Sequence, residues 1–184
     1  TTAIEETWPD NNSPVLFLGE GCLLYSRKDR WEKMNYKLAP YHWDDRKKLF
    51  TDYQYSLKLV DDLLPIISRL LNDIHNVDYS DKYWRILISP WLIYFIQIMI
   101  DRWSMIECAF SNFEISGTNG LIDDNYDFIP FDMSNFLSIT QNNDYWNQWI
   151  FQKIINFRKL IDVSHIYNPT NPYKIDSINL SRSI

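Results

Sequence analysis

The chain has 184 residues, a net charge of -6 at neutral pH and a pI near 5.0. This length suits one domain with a sizeable core. The acidic balance disfavours nucleic acid as a partner, because such binding depends on clustered lysine and arginine. Four glycines, well below an average usage of about 7%, favour long helices and few tight turns.

Two cysteines, Cys22 and Cys108, are far apart in the sequence and have no histidines at zinc-binding spacing. They match neither a redox pair nor a metal site. We therefore expect free thiols in a reducing cytoplasm. A signal peptide has a positively charged segment followed by an apolar one, and no such pair of segments precedes the first predicted strand.

A short buried parallel strand is predicted near residues 15–18, because an apolar run lies between turn-forming residues. The loop Gly19-Glu20-Gly21-Cys22 follows it. Ligands in open α/β sheets bind at the carboxyl ends of strands. Glu20 is thus a candidate site residue, although the loop lacks the glycine spacing of a dinucleotide fingerprint.

Two long helices are predicted next. Apolar residues recur in steps of four and three from Trp43 to His75, which indicates an amphipathic helix near 43–75. Pro65 should kink or divide this helix, and Asn76 should end it. Ser80 can begin a second helix near 80–111.

The second helix contains no charged residue from Ile86 to Ile100. These residues span only about 22 Å, short of the roughly 30 Å hydrocarbon core of a membrane. We therefore predict a buried core helix and no transmembrane segment. A membrane-docking element remains an alternative interpretation.

The remainder reads as mixed structure. Residues 115–127 are polar and rich in turn formers, which predicts an exposed connection. A short helix is expected over 131–140, and Asp144 can cap another. A late edge strand is expected at 163–167. A turn at Pro169 and Pro172 and a loosely packed end over 173–184 follow.

The segment Pro40-Tyr-His-Trp-Asp-Asp-Arg46 concentrates groups suited to chemistry. His42 is the best candidate for a general base, since imidazole exchanges protons near neutral pH. Asp44 and Glu20 are alternative catalytic carboxylates. The competing interpretations are a structural histidine and, for Asp44 and Asp45, capping of the following helix.

Several other side chains are candidates for substrate binding. Arg27, Arg46 and Arg85 could hold phosphate or carboxylate groups in bidentate fashion, although ion pairs with acidic neighbours are equally typical. Trp43 could stack on a sugar, whereas a tryptophan on a helix stripe is more often core. Asp45 is a further candidate for substrate binding. No motif predicts a metal or a cofactor, since HxH, HExxH, GxSxG and P-loop patterns are absent.

Several blocks, in order, resemble the N-terminal part of transferases of bacterial surface-carbohydrate biosynthesis, of O-antigen and capsule type. The resemblance is dense over residues 1–110. The blocks are Thr1-Thr-Ala-Ile-Glu-Glu6, Phe17-Leu-Gly-Glu20, Leu24-Tyr-Ser-Arg27, Pro40-Tyr-His-Trp-Asp-Asp-Arg46, Tyr83-Trp-Arg-Ile-Leu-Ile88, Pro90-Trp91, Tyr94-Phe-Ile-Gln97 and Asp101-Arg-Trp103.

The resemblance implies a helix-rich α/β fold: an incomplete Rossmann-like N-terminal lobe, with 1–184 as one domain of a longer two-lobed transferase. It implies a glycosyltransferase that moves a sugar from a nucleotide-activated donor to a glycan or lipid-linked acceptor. We expect it in the cytoplasm, with a peripheral position at the inner face of the membrane left open. The alternative is a non-catalytic scaffold domain of an envelope-carbohydrate assembly complex, which the many aromatic residues also suit.

Overall fold

The structure is a computed structural model that describes residues 2–9, 13–122 and 128–166. It divides into two compact units, one built from Pro40–Ser111 and the other from the segments before and after it. The prediction of a helix-rich α/β fold is confirmed, with short strands in parallel pairs. The Rossmann-like lobe and the single domain of a longer protein stay predictions.

The first unit contains the predicted early strand. β1 (Val15–Phe17) pairs in parallel with β2 (Tyr36–Leu38), and a short helix, α1 (Lys28–Trp31), lies between them in sequence. Phe17 is fully buried. The rings of Trp8 and Tyr36 meet its ring edge-on, with centroids 5.3 and 5.6 Å away. This aromatic cluster anchors the strand pair.

A second parallel pair joins β3 (Thr118–Leu121) to β4 (Val163–Ile166). The late edge strand is thus confirmed, whereas the exposed connection over 115–127 is wrong at β3, where Gly120 and Leu121 are buried. The side-chain amide of Gln152 holds the backbone of β3 at Leu121. Its Oε1 accepts from the Leu121 N–H and its Nε2 donates to the Leu121 carbonyl, both at 3.1 Å.

Some predictions lie outside the described residues. They are the stretch 123–127 within the predicted connection, the turn at Pro169 and Pro172, and the chain end at 173–184.

Two helices complete the first unit. α4 (Met133–Asn142) begins after its N-cap Asp132, close to the predicted 131–140. α5 (Asp144–Arg158) is capped by Asn143 rather than by Asp144. The N-cap thus lies one residue before the predicted position. It is Asn143 because its side chain accepts hydrogen bonds from the backbone N–H groups of Tyr145 and Trp146.

The second unit is a pair of long helices, α2 (Arg46–His75) and α3 (Asp81–Asn112). Asn76 ends α2, as predicted, and adopts the left-handed conformation. Pro65 lies inside α2 without dividing it. The Ser80 hydroxyl accepts a long hydrogen bond, 3.4 Å, from the Tyr83 N–H at the start of α3. The shared core consists of Val60, Leu64, Leu92 and Ile96.

α3 is not the centrally buried helix that the sequence predicts. Its buried residues are few, whereas Ile86 and Leu87 are 72% and 60% exposed. Among the described residues, α3 is the one helix that is long enough and apolar enough to cross a membrane, judged by length and composition alone. Its most apolar window has a mean hydropathy of 1.4. Core helices of soluble proteins pass the same test.

Candidate functional site

His42 lies in a 3-10 turn, His42–Asp44, immediately before α2. Its side chain is buried between the rings of Tyr41 and Trp43, whose centroids lie 5.1 and 4.7 Å from the imidazole. Its Nε2 lies 3.0 Å from Oδ1 of Asp101, a buried carboxylate on α3. A histidine in the turn before α2 thus pairs with an aspartate on α3.

Asp101 has two further partners. The Tyr41 hydroxyl donates to Oδ1 at 3.1 Å, and the Arg102 guanidinium donates to Oδ2. Sequence reasoning missed Asp101 as a site residue. The available signal was its position directly after the uncharged run from Ile86 to Ile100, since a carboxylate in an apolar helix needs a partner.

The pairing constrains the protons of His42. An ionised carboxylate can only accept hydrogen bonds, so Nε2 carries the proton in the pair with Asp101. Nδ1 of His42 is buried and has no hydrogen-bond partner among the described residues. In the neutral imidazole this atom carries the lone pair, which is the requirement for a proton acceptor.

Tyr41 is chemically perturbed by the same cluster. Desolvation by burial, together with the neighbouring Asp101 carboxylate, raises the pKa of Tyr41 to about 12. Both effects disfavour a phenolate. Tyr41 therefore serves as a hydrogen-bond donor to Asp101.

A cavity of about 280 Å³ lies within the second unit, between the first half of α2 and the middle of α3, and Asp101 lines it whereas His42 does not. This volume is at the lower end of the roughly 300–1,000 Å³ typical of small-molecule sites. Four aromatic side chains and two carboxylates contribute to its lining: Tyr41, Trp43, Tyr53, Tyr94, Asp52 and Asp101.

Trp43 and Asp52 are held together at this cavity. The indole Nε1 of Trp43 donates to Oδ2 of Asp52 at 2.9 Å, and Lys48 pairs with the same oxygen. Burial works against ionisation of Asp52. The hydrogen bonds from Lys48 and Trp43 nevertheless give a pKa of Asp52 below its usual value. Asp52 thus remains a carboxylate, and Trp43 has a fixed orientation.

The other members of the predicted segment are on the surface. Asp45 is the N-cap of α2, and its Oδ1 accepts from the backbone N–H groups of Lys47 and Lys48 at 2.9 and 3.3 Å. The capping interpretation is confirmed for Asp45. Asp44 and Arg46 are exposed. Catalysis by Asp44 and substrate binding by Asp45 and Arg46 stay predictions.

Two predicted site residues belong to the first unit. Glu20 begins a 3-10 turn, Glu20–Cys22, and is exposed. The Arg27 guanidinium lies 3.1 Å from Oε1 of Glu5 and also donates to the Ala3 carbonyl. Arg27 thus has the ion pair that competes with a ligand-binding role, which itself stays a prediction.

Arg85, on α3 of the second unit, has a similar arrangement. Its guanidinium lies 2.9 Å from Oδ1 of Asp61 on α2, and both side chains are at least half exposed. Such an exposed pair contributes little to stability. Arg85 therefore remains available for exchange with another anion, and its substrate role stays a prediction.

Metal ligation has no visible basis in the described part of the chain. No group of three or more histidine, cysteine, aspartate or glutamate side chains there could hold a metal ion.

A buried histidine–aspartate pair beside a small cavity is an arrangement that proton-transfer sites share with structural ion pairs. Comparison with protein families gives a match to the LIC12162 family transferase over residues 1–183. The chain belongs to this transferase family. No curated protein and no solved structure matches it significantly.

Proposed function

We propose that this protein is a glycosyltransferase, or the N-terminal portion of one, acting in surface-polysaccharide biosynthesis. It would move a sugar from a nucleotide-activated donor onto a glycan or lipid-linked acceptor. The observation that carries the proposal is the His42–Asp101 pair beside an aromatic-lined cavity, in a chain of a transferase family. The donor, the acceptor and the pathway are inferred from the sequence blocks that resemble surface-carbohydrate transferases.

In the proposed reaction, the oxygen of an acceptor hydroxyl attacks the anomeric carbon of the donor sugar. The bond from that carbon to the phosphate oxygen breaks, and the nucleoside diphosphate leaves with the bonding electrons. The hydroxyl proton passes to Nδ1 of His42, which acts as the general base. Asp101 accepts the hydrogen bond from Nε2 and stabilises the imidazolium that forms.

The burial of Nδ1 sets a condition on this mechanism. The atom is covered in the ligand-free protein, so the acceptor hydroxyl reaches it only when binding moves the groups that cover it. Catalytic hydrogen bonds commonly align only in the substrate complex. The hydrogen bond between Nε2 of His42 and Oδ1 of Asp101, rather than the present access to Nδ1, is the support for its role.

The test is sugar transfer by the full-length protein with His42→Ala and with Asp101→Asn. Loss of a general base should lower kcat by about 10²- to 10⁴-fold, and added imidazole should restore part of the activity of His42→Ala. Asp101→Asn keeps the side-chain shape but removes the charge that stabilises imidazolium, so it should lower kcat and alter the pH profile. Asp44→Ala tests the alternative base in the same assay.

The matched control is His75→Ala, which removes an exposed histidine at the end of α2. It should leave turnover unchanged, and thermal melts should show that all variants are folded. Unchanged turnover in folded His42→Ala and Asp101→Asn would remove the pair from the mechanism.

A second function, the non-catalytic scaffold, is favoured by a different observation. The outer side of α3 exposes large apolar side chains, including Ile86 and Leu87. Exposed apolar patches mark interaction surfaces. Calorimetric titration with nucleotide sugars and glycans, compared with capture of partner proteins by wild type and by Ile86→Ser, separates the two functions. Saccharide or nucleotide binding by the chain itself favours the transferase.

A further inference from the structure

The cavity beside Asp101 has a lining that selects among the chemical groups a sugar transferase must bind. A nucleotide-activated donor carries phosphates, whereas the sugar ring of an acceptor is uncharged. Phosphate sites typically offer arginine, lysine or free backbone N–H groups. Sugar-ring sites offer flat apolar faces together with hydrogen-bond acceptors and donors.

The charges at the cavity are wrong for phosphate. Among the described residues that line it, none is a lysine or an arginine, and two are the carboxylates Asp52 and Asp101. Lys48 and Arg102 are already paired with these carboxylates. Like charges repel strongly where water is partly excluded, so the lining opposes a diphosphate.

The nearest helix N-terminus is also occupied. Free backbone N–H groups at the start of α2 could otherwise bind an anion. The Asp45 carboxylate caps them through the N–H groups of Lys47 and Lys48. An anionic ligand at this end of α2 would have to compete with a carboxylate that is part of the chain.

The same lining suits an uncharged ring. Tyr53 and Tyr94 are about half exposed, at 46% and 47%, so their rings are available for contact from the cavity side. Trp43 is fixed by its bond to Asp52. The side chains of Gln97 and Ser56 add amide and hydroxyl groups to a lining that also contains apolar side chains and the two carboxylates. Apolar ring faces and a few polar groups are thus available together.

We propose that this cavity binds the uncharged sugar ring of the acceptor, and that the nucleotide diphosphate of the donor binds elsewhere in the protein. The inference rests on the proposed function, because it assigns one of the two substrates of that reaction to this cavity. A ring bound there lies against Tyr41 and Asp101, the lining residues that belong to the hydrogen-bonded cluster of His42.

Direct binding to the chain, with no turnover required, tests this assignment. The probes are methyl glycosides of common hexoses and N-acetylhexosamines, octyl glycosides of the same sugars, UDP and GDP, measured by saturation-transfer NMR and calorimetry. Tyr53→Leu removes an aromatic face from the cavity. Tyr55→Leu is the matched control, since Tyr55 lies on the same helix, is 55% exposed and does not line the cavity.

The expected result is binding of at least one methyl glycoside, weakened about threefold to tenfold by Tyr53→Leu and unchanged by Tyr55→Leu, as for the loss of one aromatic contact. Binding of UDP or GDP that is lost in Tyr53→Leu overturns the assignment while leaving a transferase intact. Binding of octyl but not methyl glycosides overturns it in favour of a chain-binding cavity. No glycoside binding at all also overturns it, whatever the activity of the full-length protein.

Discussion

Gln152 in the first unit and His42 in the second are both buried polar side chains, each 7% exposed. Gln152 uses both ends of its amide: Oε1 accepts from the Leu121 N–H, and Nε2 donates to the Leu121 carbonyl. His42 has one nitrogen bonded to Asp101, and the other has no partner among the described residues. A fully paired group holds the fold, whereas a group with an unpaired atom lowers stability and calls for another explanation.

An unpaired buried atom is not sufficient evidence of a site. Within the described residues, the Ser68 and Ser89 hydroxyls and Nδ2 of Asn143 are also buried without a partner. His42 differs from them because it is a proton acceptor with a carboxylate on its opposite nitrogen. A buried polar side chain is therefore a candidate site residue when it has an unpaired atom and is also able to accept a proton.

The largest expected effect on the free energy of unfolding is at Gln152, the fully paired side chain. Gln152→Leu leaves two buried backbone groups of Leu121 unpaired, which should lower the free energy of unfolding by about 2–4 kcal/mol. His42→Phe should cost less than half as much, because Asp101 keeps its bonds from Tyr41 and Arg102. Urea denaturation followed by circular dichroism measures both.

Gln54→Leu, at an exposed position of α2, is the control and should change the free energy by no more than about 0.5 kcal/mol. Equal losses in Gln152→Leu and His42→Phe would show that both side chains are structural. The distinction on which the candidate site depends would then disappear.

The elements predicted well are those determined by neighbouring residues. The end of α2 follows from Asn76 and the start of α3 from Ser80, which act within one turn of the helix. α2 begins at Arg46 rather than near residue 43, because Asp45 is its N-cap. β3 was missed because its sequence contains Gly120 and its backbone is held by Gln152, 31 residues beyond Leu121. A cap is visible in a short window of sequence, whereas a contact at that separation is not.

The same reasoning explains what was found of the site. His42 stood out by residue type within a dense polar segment, and the structure places it in a buried pair. Asp101 lies 59 residues away, so the uncharged run before it could indicate that this carboxylate needs a partner but could not identify His42 as that partner. The exposure of α3 was also unpredictable, because composition gives the apolarity of a helix but not the number of elements packed against it.

A smaller effect distinguishes the two adjacent aspartates before α2. Asp45→Ala removes the N-cap and should lower the free energy of unfolding by about 1 kcal/mol. Asp44→Ala changes an exposed carboxylate in the preceding turn and should remain within about 0.5 kcal/mol. Thermal melts of both variants make the measurement. If Asp44→Ala were the more destabilising, the carboxylate of Asp44 would belong with Gln152 among the groups that hold the fold.

The smallest expected effect is confined to alkaline pH and tests the hydrogen bond from the Tyr41 hydroxyl to Asp101. The pKa of Tyr41 is raised to about 12 in the folded protein, against about 10 for an unfolded tyrosine. Below pH 10 the phenol is neutral in both states, and its contribution to stability is fully present. As pH rises from about 10 towards 12, the unfolded state releases the proton first, so stability is lost.

Tyr41→Phe should remove part of this alkaline loss, whereas Tyr55→Phe should leave it in place. Urea denaturation across this pH range makes the comparison, and an identical alkaline loss in Tyr41→Phe and wild type would separate the Tyr41 hydroxyl from the Asp101 carboxylate in solution.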